Sequence, residues 1–169
     1  VGAKYEQVER YDSDVTPISI NYGWPKFDGP LGRPSTLTGY RDPEYAYDHG
    51  SGEGTALCGG GFYALKHSAP AAFPPNYHGV YFFTDYRGWI KYIDPANPGK
   101  RFDFAKDINR PIDVKMAPDG SLWYIARAGK GGGSDSDNTA TTDGSLWRIY
   151  WTGSGGPTKL EFSTQPSSQ

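Results

Sequence analysis

The sequence predicts an all-β chain assembled from propeller-like blades, on three observations. The first is composition: 169 residues carry 23 Gly, 14 Pro, 5 Trp, 13 Tyr and 8 Phe against a single Met and a single Cys. Gly and Pro punctuate helices, whereas aromatic side chains suit a pleated, half-buried surface. The second is an internal echo. Gly79-Val80-Tyr81-Phe82-Phe83 and Gly120-Ser121-Leu122-Trp123-Tyr124 start 41 residues apart. The third is that each is followed by a second Gly-led strand, Gly88-Trp89-Ile90-Lys91-Tyr92-Ile93 and Gly144-Ser145-Leu146-Trp147-Arg148-Ile149. A period of about 40 to 45 residues holding several short strands is the signature of propeller blades, because one four-stranded blade cannot bury both faces alone.

In chain order, strands are expected at Gly60 to Lys66, Val80 to Asp85, Trp89 to Asp94, Ile112 to Met116, Ser121 to Ala126 and Ser145 to Trp151. Each run is bounded by Gly, Pro, Asn or Asp clusters. Val80–Asp85 and Ser121–Ala126 are expected in neighbouring blades rather than one continuous sheet. Three blades would fill residues 1–152, and propellers close with about four to eight. The remainder must then come from other polypeptide, covering the outer blade faces over a large apolar interface. Gly129 to Asp143 is too rich in Gly and Ser to pack and reads as a surface loop. Its acids lack the Gly and terminal Glu of an EF-hand. Residues 153–169 read as a linker or tail.

Charge excludes some partners. With 17 Lys plus Arg against 19 Asp plus Glu, the formal charge of −2 gives no attraction to nucleic acid or an anionic membrane. No run approaches the roughly 18 apolar residues of a membrane span. His49, His67 and His78 lack zinc-site spacing, and no P-loop, dinucleotide fingerprint or G-x-S-x-G is present. Cys58 has no cysteine to pair with and reads as a small buried hydrophobe.

Asn21-Tyr22-Gly23-Trp24-Pro25 followed by Asp28-Gly29-Pro30 resembles the NYGWP segment of the soluble quinone-dependent glucose/sorbosone (aldose sugar) dehydrogenases. Other segments keep the family's order: Asp42-Pro43 with Tyr47-Asp48-His49, Cys58 to Tyr63, Arg110-Pro111-Ile112-Asp113-Val114, Ala117 to Leu122, and Gly144 to Tyr150. The resemblance covers residues 1–152 and implies the C-terminal half of a six-bladed β-propeller, of which this chain supplies about three blades. It further implies a secreted or periplasmic oxidoreductase that binds pyrroloquinoline quinone (PQQ) and calcium and oxidises a sugar by hydride transfer to the quinone. The family's catalytic histidine lies upstream of NYGWP, so no catalytic residue is assigned here, and the N-terminal half of the propeller is an implied partner.

The same resemblance places calcium ligands at the Val1 and Gly2 carbonyls and the Glu6 carboxylate. Carbonyl and carboxylate oxygens suit calcium, although three ligands are too few for it; Glu6 can equally be a solvated strand residue. Arg110 stands where the family sets an arginine against the quinone carboxylates, which a planar guanidinium matches bidentately; its other reading is a turn arginine. The basic residue that often follows two positions later is Ile112 here. Tyr86 replaces a cofactor-contacting Lys, with Arg87 beside it as the compensating cation. From the residues themselves, NYGWP has a structural meaning: Gly23 for an unusual backbone angle, Pro25 to fix the next, and Trp24 to plug between blades. Asp48-His49 is either a turn or a pair lining the mouth. A noncatalytic propeller for carbohydrate or protein binding is the alternative function, because one fold hosts many.

Overall fold

The computed structural model of the chain describes residues 4–11, 20–30, 38–64, 69–127, 144–153 and 160–164. Among these it is all-β, with three antiparallel sheets and no α-helix. Among the described residues no helix is long and apolar enough to cross a membrane. Strand β1 (Tyr5–Val8) pairs with β2 (Tyr45–Asp48). A four-stranded meander follows: β3 (Leu57–Phe62), β4 (Tyr81–Asp85), β5 (Trp89–Ile93) and β6 (Arg101–Ala105). A second one is built from β7 (Pro111–Met116), β8 (Leu122–Ala126), β9 (Ser145–Trp151) and β10 (Leu160–Thr164). As the echo requires, β4 and β8 fall in separate sheets, each as its second strand.

Alternation sorts the side chains onto two cores. Along β4, Phe83 joins Val8, Tyr47, Trp89 and Ile93 between the β1–β2 and β3–β6 sheets. Phe82 turns the other way. It joins Ile90, Val114, Leu122, Tyr124 and Ile149 between β3–β6 and β7–β10. Aromatic edges fill that second core: the Phe82 and Phe104 centroids lie 4.8 Å apart, T-shaped, and Tyr63 stacks on Phe73 at 5.1 Å. Such contacts add about 0.5–1.5 kcal/mol each beyond the area they bury.

Four expectations are corrected. The strand expected at Gly60 to Lys66 runs from Leu57 to Phe62. The sheet takes in Leu57 and Cys58 and uses Gly59 where β3 presses on β7, and beyond Phe62 the Tyr63 amide and carbonyl still pair with Val80 and Gly79. The Tyr63 hydroxyl donates to the Gly120 carbonyl at 2.6 Å and accepts from the Phe73 amide at 2.7 Å. Within the expected tail, Leu160–Thr164 forms β10 and pairs with β9. The open edge of β9 offers unpaired backbone groups that a short alternating segment can satisfy. Strands β2 and β6 had not been expected. Finally, Trp24 fills no gap among the described residues: it is 65% exposed, while Phe27 packs edge-on to Tyr40 at 5.9 Å and fills the space under Gly23. Gly23 does hold φ +94°, and the Trp24–Pro25 peptide is cis. The loop expected at Gly129 to Asp143 lies outside the described residues.

Candidate functional site

One end of the molecule collects the chemistry. There β1 and β3 begin, β4 turns into β5, and β7 begins. Glu6 on β1 reaches across to the second sheet: its Oε2 accepts the Leu57 amide at 3.1 Å, and its Oε1 lies 2.8 Å from His49 Nε2. His49 opens a single 3-10 turn, His49–Ser51, capped by Asp48, whose Oδ1 accepts the Gly50 amide at 2.6 Å. Asp48-His49 thus serves as a turn, and also ties that turn to β1.

The β4–β5 turn is organised by Asp85, which is fully buried. Its Oδ2 accepts the Tyr47 hydroxyl at 2.5 Å and the Thr55 and Ala56 amides at 3.1 and 2.9 Å, while Oδ1 accepts the Arg87 amide at 2.7 Å. Burial first, and then the Asp85 carboxylate, push the Tyr47 phenol well above its usual range. The phenol therefore stays a donor. Sequence reasoning missed Asp85, although an Asp two residues before an Arg-Gly turn between strong strands is a recognisable Asx-turn signal.

Arg87 lies in the β4–β5 turn, and Arg110 immediately precedes β7. The Ile108 amide donates to the Gly88 carbonyl at 3.1 Å, which docks the β6–β7 connection against the β4–β5 turn. Arg110 Nη1 then donates to the Tyr86 hydroxyl at 3.2 Å, with the guanidinium 5.3 Å from that ring's centroid. Arg110 is half-buried and Arg87 exposed. Tyr86 thus gives Arg110 a cation–π partner. Cys58 sits on β3 nearby, half-buried rather than in the core, because its Sγ reaches the Ala56 carbonyl at 3.3 Å. Burial, reinforced by Asp85, pushes its thiol up.

Val1 and Gly2 lie outside the described residues. Glu6 is therefore the single described member of the calcium set, and both its oxygens are already engaged. No cluster of three or more His, Cys, Asp or Glu suited to a metal occurs among the described residues. Calcium takes six to eight oxygens, so these residues alone do not fit it and no step is derived through it. The guanidinium of Arg110 or of Arg87 has the donor geometry that a carboxylate accepts.

Beside Arg87 an open groove of about 720 Å³ runs over β5 and β6, bordered by Glu53, Lys91, Arg101, Asp103 and Lys106. Five of its charged side chains are paired with one another. Glu53 accepts from Tyr45, Lys91 and Arg101, and Lys106 pairs with Asp103 at 2.6 Å. Burial raises the Glu53 carboxyl, but the Lys91 and Tyr45 hydrogen bonds outweigh it and hold it below its ordinary value of 4.5. A carboxylate depressed on folding contributes stability above its unfolded pKa, lost as pH falls through the folded one. Glu53→Gln is therefore expected to lower the urea midpoint at neutral pH. The gap to the parent should shrink steadily as pH drops below 4.5. A gap independent of pH would show that Glu53 acts by shape and not charge.

No family model matches the chain, and neither does any curated protein or solved structure.

Proposed function

We propose that this chain is part of a quinone-dependent sugar dehydrogenase of β-propeller architecture, acting outside the cytoplasm and oxidising an aldose by hydride transfer to PQQ. The observation that carries the reading is Arg110 just before β7, braced by Tyr86 of the β4–β5 turn that also carries Arg87. Two planar cations from adjacent sheets suit the carboxylates of an anionic quinone, and the motifs NYGWP and RPIDV occur in the order in which that family carries them. Bound there, the quinone would supply the electron acceptor, while Arg110 and Arg87 would hold and orient it. The proton acceptor would come from the N-terminal half of the propeller. Glu6, with Val1 and Gly2, would contribute to calcium only together with ligands from that half.

The assembled protein, supplied with PQQ and calcium and assayed by dye reduction over a panel of aldoses, tests this. Arg110→Ala is expected to weaken quinone binding by about 1.5–3 kcal/mol, the range for a hydrogen bond to a charged group. Unchanged quinone affinity, or an assembly that takes up no quinone and oxidises no aldose, overturns the reading. The exposed Trp24 and Tyr11 rings favour the second reading, a noncatalytic propeller that binds carbohydrate or protein. Sugar binding without dye reduction would establish it.

A further inference from the structure

A cavity of about 230 Å³ lies at the other end of the strands from the site above, where β1, β3 and β5 finish and β4 begins. Val8, Ile93 and Pro95 give it an apolar wall, and the rings of Tyr11, Phe62 and Tyr81 border it. Phe62 stands edge-on to Tyr81 at 5.1 Å. Phe62 and Tyr11 are 56% and 64% exposed, whereas both cores bury rings of the same kind. Large exposed rings around a concavity suit a ligand.

The charged residues decide which ligand. Glu44, just before β2, takes Arg10 at 3.9 Å and the Gly99 amide at 3.2 Å. Glu9, just after β1, also lines the cavity, and its carboxyl makes no hydrogen bond or ion pair among the described residues. Burial pushes that carboxyl up to about 7, with Arg41 opposing the rise and Asp42 adding to it. A carboxylate partly withdrawn from water is stabilised by a cation brought close to it. The faces of aromatic rings attract the same sign of charge. A saccharide would need several directed hydrogen-bonding partners, which a wall of Val8, Ile93 and Pro95 does not offer.

Elsewhere the chain holds its own cations in this way. Lys91 lies 4.5 Å from the Trp89 centroid and Arg101 5.2 Å from that of Tyr45, and both pair with Glu53. Arg148 lies 4.8 Å from the Tyr150 centroid, with Asp119 at 2.7 Å. Rings with one carboxylate are thus this molecule's recurrent cation holder, and Glu9 with its three rings is a further such set.

We propose that the cavity binds a small alkylammonium ion, its head group against Tyr11, Phe62 and Tyr81 and its charge met by Glu9. The inference concerns the end of the strands away from Arg87 and Arg110 and stands whether or not the protein binds a quinone.

Titration calorimetry of the assembled protein tests it with three probes: choline as a free ion, Nα-acetyl-lysine amide as the side chain of a polypeptide, and dimethylbutanol as the uncharged carbon isostere of choline. At least one cation should bind about tenfold more tightly than the alcohol, as a charge set against several rings does; which of the two binds better names the source of the ion. Its affinity should rise from about pH 6 to about pH 8, because the cation favours the ionised Glu9 carboxyl. Glu9→Gln should abolish that rise. Phe62→Leu keeps an apolar side chain and removes the ring, so it should weaken cation binding about two- to fivefold. Equal affinity for the cations and the alcohol overturns the proposal, and so does a cation affinity that stays constant across that pH range. Both of these measurements use the parent protein, so they decide even where a variant fails to fold.

Discussion

Asp85→Ala is expected to destabilise the chain by about 3–5 kcal/mol, the cost of removing one partner from a buried charged hydrogen-bonded cluster. The carboxylate is fully buried and accepts four donors from three separate segments: Tyr47 on β2, Thr55 and Ala56 before β3, and Arg87 in the β4–β5 turn. Deleting it leaves these donors in a place that water does not reach, at about 1–3 kcal/mol for each that finds no new partner. Asp85→Asn should cost far less, because its amide oxygen can keep the Tyr47, Thr55 and Ala56 donors and lose the Arg87 amide alone. Tyr47→Phe removes one donor and no acceptor, so it should fall lowest of the three. Urea unfolding of the three variants checks the order. An Asp85→Ala midpoint indistinguishable from the parent would show that the carboxylate is not what joins the β1–β2 sheet to the β4–β5 turn.

The second large effect is expected at Gly59, where β3 lies against β7. A Cβ there would sit 2.1 Å from Asp113 Oδ1 and 2.7 Å from Asp113 Cα, and the backbone is at φ +26°. The side-chain atom could swing aside, but the Cα belongs to a paired strand and cannot. Gly59→Ala therefore combines overpacking with a backbone conformation that L-residues avoid, together about 2–5 kcal/mol. Gly61, two residues on in the same strand, has open space around a would-be Cβ. Gly61→Ala should lie within about 0.5 kcal/mol of the parent, as a substitution without a packing conflict does. Equal effects at the two positions would mean that the β3–β7 contact contributes nothing special.

Much of the architecture follows from the sequence by itself, and the reason is local. The strands β4, β5, β8 and β9 are dense in aromatic and branched residues between turn residues, so their position and their repeat can be read without coordinates. Alternation within them also determines the two cores. Elements whose signal is weak had to wait for their partners: Tyr45–Asp48 and Arg101–Ala105 are ordinary polar–aromatic alternations, and Leu160–Thr164 becomes a strand because β9 leaves an edge to pair.

The candidate site divides along the same line. Arg87 and Arg110 could be picked out from motif order, because a Gly-led turn and an Arg-Pro strand start are contiguous in sequence. Only the tertiary structure decides that the segments bearing them meet, since this depends on the Ile108–Gly88 hydrogen bond and on the Tyr86 hydroxyl reaching Arg110. It also decides that Glu6 is spoken for by His49 and Leu57, residues 43 and 51 positions away, and that Asp85, which a local pattern marks only as a turn residue, is the acceptor on which four donors converge. Contacts of such long range cost chain entropy to close and leave no local pattern behind. The composition of a five-residue strand is visible in the chain, whereas the identity of what lies across from it is not.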